Sequence, residues 1–167
     1  MIWKKSTLKA ISNTSPLLYL HRIKALDLCP GIFDKLLTTP EVSRELLEGR
    51  QLGYNCPDIS RLEWIEIVEA RSMPSEWFAL DLGPGEISAM ALAFDKPGHI
   101  ILLDDMLARR IASAAGLQVW GTLKIILKAK SLGLIDQAGP LINQLTDAGM
   151  WVTPGIKQRI LRLANET

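Results

Sequence analysis

The stretch from Ile100 to Arg110 constrains the fold more than any other part of the chain. Its four apolar residues, Ile100 to Leu103, lead directly into two adjacent acids, Asp104 and Asp105. A short apolar run of this kind is typical of a strand that is buried on both faces. The next residues have helical spacing and end at Gly116. The apolar positions on the predicted buried face of that helix are Leu107, Ile111 and Ala115. Two carboxylates therefore lie where a buried strand meets a helix.

Strands and helices alternate along most of the chain. Further strands are predicted at Leu8 to Ser12, around Leu36, at Trp64 to Val68 as a half-buried edge strand, and at Leu117 to Trp120. The pattern predicts an α/β fold, with a parallel sheet flanked by helices and joined by right-handed crossovers.

Turn and capping residues mark the predicted helix boundaries. Ser15-Pro16 and Thr39-Pro40 each combine an N-cap with a proline in the first turn, and Gly49 is predicted to end the second of these helices. Asp58 is a candidate cap for a short helix, and Gly83-Pro84-Gly85 predicts a turn before the next one. The remaining predicted helices begin at Ile87, Gly121-Thr122, Pro140 and Thr153-Pro154.

Length and composition favour a single domain over residues 1–167, with a core from about 8 to 135 and C-terminal helices from about 140 to 165. The net charge of +1 neither requires nor excludes a nucleic-acid partner. No apolar run approaches a membrane span, and the start lacks the apolar segment of a secretion signal. Cys29 and Cys56 are isolated, which predicts a reduced, cytoplasmic setting. The two histidines share no motif.

Oxygen-bearing side chains follow the predicted strands or lie on the helices just after them. They are Asn13, Glu45, Glu86, Asp104 and Asp105. Hard oxygen ligands suit Mg²⁺ or Mn²⁺, and such a metal polarises a phosphate and activates a bound water. Each acid also has an ordinary structural explanation. Asp104 or Asp105 can cap a helix, Glu45 can be solvated, Glu86 can lie in a first turn, and Asp105 can pair with Arg109.

Five segments in this order resemble the PIN-domain family of metal-dependent ribonucleases. They are I-S-N-T-S-P-L-L-Y-L, T-P-E-V-S-R-E-L, L-G-P-G-E-I-S-A-M-A-L-A, L-L-D-D-M-L-A-R-R and the later G-L-Q-V-W-G-T-L-K-I-I-L-K-A-K-S-L-G-L-I. The last is similar to a bacterial and archaeal subfamily described as PIN-like nucleic-acid-binding proteins. Each segment is weak alone, and the ordered set is fairly specific from about Ile11 to Ile135.

The resemblance implies a three-layer fold with a parallel sheet of four or five strands between helices. It implies a metal site for Mg²⁺ or Mn²⁺ at Asn13, Glu45, Glu86 and Asp104, with Asp105 close by. It also implies cleavage of single-stranded RNA by Glu45, Glu86, Asp104 and Asp105, and often a homodimer. Members similar to the virulence-associated-protein C toxins are neutralised by a small antitoxin protein.

One position departs from the family pattern, because this chain has Asn13 where the family has aspartate. Asparagine keeps a carbonyl oxygen but has no negative charge and cannot act as a base. Three hypotheses follow. The site works weakly, Asp105 compensates for the lost charge, or the protein binds RNA or a partner without cutting.

Several residues outside the acids complete the predicted surfaces. The predicted nucleic-acid contacts are Thr14, Ser15, Arg109 and Lys124. Three tryptophans fall outside the clearest core patterns and are expected either to anchor a protein contact or to pack in the core. They are Trp3, Trp77 and Trp151. A second alternative to the nuclease is an unrelated α/β enzyme, such as a phosphatase with one aspartate nucleophile.

Overall fold

The computed structural model describes residues 6–73, 76–77 and 80–167. These residues form five strands, all paired in parallel in one sheet. The strands are β1 (Lys9–Ser12), β2 (Lys35–Thr38), β3 (Ile65–Ile67), β4 (Ile100–Leu102) and β5 (Val119–Trp120). Their order across the sheet is β3-β2-β1-β4-β5. The prediction of an α/β fold with a parallel sheet is confirmed.

Eight helices are described around this sheet. They are α1 (Thr14–Arg22), α2 (Cys29–Ile32), α3 (Pro40–Gln51), α4 (Pro84–Asp95), α5 (Met106–Ala114), α6 (Thr122–Ser131), α7 (Gly139–Asp147) and α8 (Pro154–Leu163). Among the described residues no helix is long and apolar enough to cross a membrane. Trp3 lies outside the described residues.

Side chains that alternate along the strands divide the core into two layers. Ala10 of β1 belongs to a cluster that includes buried hydrophobic residues of α1, α2, α3, α6 and α7. Its neighbour Ile11 belongs to a second cluster, formed with α4 and α5. Because successive strand residues point to opposite faces, both faces of the sheet are covered by helices. The fold is therefore a three-layer arrangement, as expected.

The α1 and α3 boundaries differ from the prediction. The cap of α1 is Asn13 rather than Ser15, because the backbone leaves β1 in an extended conformation at residue 13, and Pro16 still fits the first turn. Gly49 lies inside α3, which continues to Gln51. A Cβ on Gly49 would lie 2.7 Å from Sγ of Cys56, so this glycine provides space for the Cys56 thiol rather than a helix end.

Helix α4 begins three residues earlier than predicted, because Pro84 and Gly85 form its first turn rather than a separate turn. Gly83 precedes the helix as its N-cap. Proline is accommodated in a first helical turn, where its missing N–H has no helical partner to lose. The predicted cap at Asp58 is confirmed, since its Oδ1 accepts a hydrogen bond from the Ser60 N–H at 3.2 Å.

The buried face of α5 also differs from the prediction. Ala108 and Ala112 are fully buried, whereas Leu107 is 42% exposed. Two alanines four residues apart allow the helix backbone to approach the sheet closely, which places the larger Leu107 at the side. The predicted helix end at Gly116 is supported by its positive φ of 86°.

Candidate active site at the carboxyl ends of β1 and β4

The direction of chain progression reverses between β1 and β4. From β1 the chain proceeds to β2 and β3 on one side of the sheet, and it returns at β4 on the other side. In open parallel sheets, ligands bind in the crevice outside the carboxyl ends of such neighbouring strands. Asn13 directly follows β1, and its N–H donates to the Leu102 carbonyl of β4 at 3.1 Å. Asp104 lies two residues beyond Leu102. Asn13 and Asp104 therefore lie at this crevice.

The side-chain oxygen of Asn13 is buried and has no hydrogen-bond partner among the described residues. The residue is 4% exposed, and its side chain does not cap α1. Leaving a buried acceptor without a partner costs about 1–3 kcal/mol, so such oxygens usually meet a donor, a water or a cation. Oδ1 of Asn13 is therefore a buried acceptor that the described residues leave unsatisfied, in the residue that directly follows β1.

Glu45 joins three helices through its carboxylate. Its Oε1 accepts a hydrogen bond from the Gly85 N–H of α4 at 2.9 Å. Its Oε2 accepts a hydrogen bond from the Thr14 hydroxyl, in the first turn of α1. The N-terminus of α4 also favours a negative charge at this point. Glu45 is therefore held in place by α1 and α4, and it is not merely a solvated residue of α3.

Glu86 lies in the first turn of α4, where its Oε2 accepts a hydrogen bond from the Gly83 N–H at 3.0 Å. Burial raises the pKa of the Glu86 carboxyl, the Gly83 N–H opposes that rise, and the negative charges of Asp105 and Glu45 add to it. Three of the predicted acids thus act on one another electrostatically.

Asp104 is held at both carboxylate oxygens by Thr122 at the start of α6. The Thr122 N–H donates to Oδ1 at 2.8 Å, and the Thr122 hydroxyl donates to Oδ2 at 2.7 Å. Burial raises the pKa of the Asp104 carboxyl, while the two donors of Thr122 and the charge of Arg109 act in the opposite direction. Thr122 was predicted to begin a helix but not to belong to the site. Its position just after β5 was the available signal, because polar residues after neighbouring parallel strands meet at one edge.

Asp105 has a different local role from Asp104. Its Oδ1 accepts a hydrogen bond from the Ala108 N–H at 2.9 Å, so Asp105 is the N-cap of α5. The residue is exposed, and its charge contributes to the raised pKa of Glu86. Of the two adjacent acids, Asp105 caps α5 and Asp104 makes the part-buried contact with Thr122.

The predicted nucleic-acid contacts lie on α1, α5 and α6. We use the name acid pocket for Asn13, Glu45, Glu86, Asp104 and Asp105. The Arg109 guanidinium lies against Gly121, close to Asp104. Lys124 lies over the Trp120 ring, with 5.6 Å between Nζ and the ring centroid. Ser15 is half-buried in the first turn of α1. Their contacts with nucleic acid remain predictions.

The oxygen atoms of these residues are the ligands that a hard divalent cation prefers, but the acids alone do not form a complete metal site. Within the described ranges, no three Asp, Glu, His or Cys side chains lie close enough together to hold a metal ion. Both oxygens of Glu45 and of Asp104 already accept hydrogen bonds from the protein. A cation would therefore use the free Asn13 oxygen together with acids that are partly occupied by protein donors. These are the hard oxygen atoms that Mg²⁺ and Mn²⁺ prefer, and the protein donors would compete with either ion for them.

Comparison with known families gives one extended match. A family model described as a PIN domain matches residues 9–166. A comparison with curated proteins found no match. The family match spans nearly the whole chain, so it contradicts the alternative of an unrelated α/β enzyme.

Proposed function

The chain belongs to the PIN-domain family, and from this premise we propose that it binds single-stranded RNA at the acid pocket and hydrolyses a phosphodiester bond. PIN domains are nuclease-type modules that bind nucleic acid and generally depend on a divalent metal. The observation that carries the proposal is the buried, unpartnered Oδ1 of Asn13 at the crevice between β1 and β4. This unsatisfied acceptor belongs to the residue after β1, at the end of the sheet where parallel sheets bind their substrates.

Four residues would hold Mg²⁺ or Mn²⁺ in this proposal. They are Asn13, Glu45, Glu86 and Asp104. When bound, the metal polarises the phosphate and lowers the pKa of a water. Glu86 and Asp105 keep the pocket negative, and Thr122 keeps the Asp104 carboxylate oriented through two hydrogen bonds.

The RNA backbone would be held by residues outside the metal ligands. Arg109 and Lys124 would supply positive charge, and Ser15 a hydroxyl donor at the start of α1. The Thr14 hydroxyl already donates to Glu45, so it would have to exchange that bond for a phosphate contact. Contacts of this kind go to phosphates and carry no base information, so the proposal predicts little sequence preference from these residues.

The Asn13→Asp variant tests the proposal. A carboxylate in place of the amide adds the missing charge, and we expect Mn²⁺ affinity and the rate of RNA cleavage each to rise by about tenfold, the effect of roughly 1.4 kcal/mol. Mn²⁺ titration followed by cleavage of a fluorescent single-stranded RNA measures both quantities. Asp104→Asn is the control and should abolish cleavage. If both quantities stay unchanged in Asn13→Asp, residue 13 does not belong to the site.

A non-catalytic RNA-binding or partner-binding module is the second candidate. The observation in its favour is that Glu45, Glu86, Asp104 and Asp105 all accept hydrogen bonds from the protein, so the pocket is largely satisfied without a cation. This candidate predicts RNA binding in EDTA. It also predicts no metal-dependent cleavage by the wild type, by Asn13→Asp or by Asp104→Asn.

The biological role is proposed to be that of a cytoplasmic toxin neutralised by a small antitoxin, acting as a homodimer. Large apolar side chains that a partner could cover are Met106, which directly follows Asp105 and is 67% exposed, and Trp151, which is 83% exposed. Trp77, in contrast, packs against Phe94 with 5.2 Å between ring centroids. Induced expression that arrests bacterial growth, and light scattering at the mass of two chains, are the expected results.

A further inference from the structure

Two glycines in the pocket lie against charged side chains. A Cβ on Gly85 would lie 2.6 Å from Oε2 and 2.9 Å from Cδ of Glu45. A Cβ on Gly121 would lie 2.7 Å from Nη1 of Arg109 and 3.3 Å from Oδ1 of Asp104. Real Cβ atoms almost never approach another atom within 3.0 Å, so any side chain at these positions would displace Glu45 or Arg109.

Neither glycine is needed for an unusual backbone conformation. Gly121 has φ −98° and ψ 175°, which is extended backbone open to every residue. Gly85 is the second residue of α4, where alanine is the better helix former. Gly116 is the opposite case, with a φ of 86° and nothing within 4 Å of its missing Cβ. What Gly85 and Gly121 supply is therefore space and not flexibility.

We infer that Gly85 and Gly121 are positioning residues of the acid pocket. Because they have no side chain, Glu45 and Arg109 pack directly against their backbone, and we call this contact seating. On Gly85, the carboxylate of Glu45 comes close enough to accept the Gly85 N–H at 2.9 Å while it also accepts the Thr14 hydroxyl. On Gly121, the guanidinium lies next to Asp104, although Arg109 as a whole is exposed. The consequence for RNA rests on the proposed function, whereas the seating itself does not.

The chain provides a matched control for alanine substitutions. Gly155 follows Pro154 as the second residue of α8, just as Gly85 follows Pro84 in α4. A Cβ on Gly155 would meet nothing within 4 Å. Gly155→Ala therefore changes the same kind of helical position without touching the pocket.

For Gly121, the test is binding of a fluorescent phosphorothioate oligouridylate, which resists cleavage, measured by anisotropy with Mn²⁺ present. The atom in the way is the end of a flexible side chain, so Gly121→Ala should stay folded. It should weaken binding about tenfold, as Arg109→Ala does, because one charged phosphate contact is lost. In the Arg109→Ala background, Gly121→Ala should cause no further loss. An equal loss in both backgrounds overturns the inference.

A second measurement separates this inference from the proposed function. The Arg109 Nε–H signal in a ¹H–¹⁵N spectrum, assigned by its loss in Arg109→Lys, should shift in Gly121→Ala and stay in place in Gly155→Ala. If the wild type binds no oligouridylate while this shift occurs, the proposed function fails and the seating stands. An unshifted signal in Gly121→Ala overturns the seating.

For Gly85, the test is thermal unfolding in two backgrounds. Gly85→Ala should lower Tm by about 2–4 °C in the wild type, because the bonds of Glu45 are disrupted. In the Glu45→Ala background the steric conflict no longer exists, so the same substitution should leave Tm unchanged or raise it. Gly155→Ala should not lower Tm in either background. An equal drop in both backgrounds contradicts the seating of Glu45.

Discussion

Two buried polar atoms without a hydrogen-bond partner stand out among the described residues, Oδ1 of Asn13 and Nε2 of His99. They lie at opposite ends of the sheet, since Asn13 follows β1 whereas His99 precedes β4. The Asn13 oxygen is an acceptor at the acid pocket and is explained by a ligand. The other ring nitrogen of His99 lies 3.1 Å from the Lys96 carbonyl, which makes it the protonated one and leaves Nε2 as an unsatisfied acceptor.

His99 should make stability depend on pH. Burial lowers the pKa of His99, the charges of Lys9 and Lys35 lower it further, and hydrogen bonds to the Pro97 and Lys96 carbonyls partly oppose them. The unfolded chain takes up the proton near its ordinary pKa of about 6.5, whereas the folded chain resists it. Stability is therefore lost as the pH falls below about 6.5 and through the folded pKa.

The measurement is Tm at steps from about pH 7.5 to about pH 5 for the wild type and for His99→Gln, which cannot take up the proton. The wild type should lose more of its Tm over this interval than the variant, since the acids contribute equally to both. Parallel curves would show that His99 does not titrate differently in the folded chain.

At the scale of elements, helix α7 lacks a cap of its own. Its N-cap position is Ala138, which has no side-chain acceptor. Glu166 supplies the acceptor from beyond α8: its Oε2 accepts the Ala138 N–H at 2.7 Å, and its Oε1 accepts the Gly139 N–H at 3.1 Å. Lys130 of α6 completes the contact at 3.0 Å. One carboxylate thus joins α6, α7 and the segment after α8.

Glu166→Gln should lower the free energy of unfolding by about 1 kcal/mol, because the amide has one acceptor oxygen in place of the two that bind Ala138 and Gly139, and it carries no charge. The N–H groups of Ala138 and Gly139 and the charge of Lys130 lower the pKa of Glu166, although its burial acts against them. The contribution is therefore full above the unfolded value of about 4.3 and is lost as the pH falls through the folded pKa.

Urea unfolding near neutral pH and in acid measures this contribution. Lys130→Met is the comparison, since it removes the ion pair and leaves both N–H contacts, and it should cost less than Glu166→Gln. If the difference in unfolding free energy between the wild type and Glu166→Gln does not decrease in acid, the charge of Glu166 does not contribute to stability.

At the scale of the whole molecule, the central strands β1 and β4 both form the centre of the core and position the residues of the acid pocket. β1 and β4 are covered on both faces, and their carboxyl ends form the crevice with Asn13 and Asp104. β3 forms one edge of the sheet, where Ile67 is 45% exposed. The central strands β1 and β4 therefore position the site, while the edge strand β3 is less completely buried.

Substitutions on the central strands should therefore lower the free energy of unfolding more than substitutions on the edge strand. Ile101 of β4 is fully buried, so Ile101→Ala should cost about 3 kcal/mol of unfolding free energy through lost burial and a cavity. Ile67→Ala should cost less than about 1 kcal/mol, because much of that side chain is already in water. Urea denaturation gives both values, and equal losses would contradict the assignment of the core.

Local chemistry in the sequence determined most elements of the fold. The buried run at Ile100, the caps at Thr39 and Thr153 and the helix end at Gly116 are properties of short segments, and each is confirmed. The alternation of strands and helices then implied a parallel sheet, and strand ends implied where polar residues meet. The ordered segments further indicated the PIN-domain family, which the family match confirms.

Only the tertiary structure decided which distant groups meet. Spacing along the chain does not show that Thr122 holds Asp104, that Gly85 seats Glu45, or that Glu166 caps α7. Nor does it show that Ala108, and not Leu107, faces the sheet. Periodicity and capping are set within a few residues, so a sequence displays them directly. Partners far apart in sequence are chosen by how helices dock on the sheet, and that choice depends on the packing of the whole core.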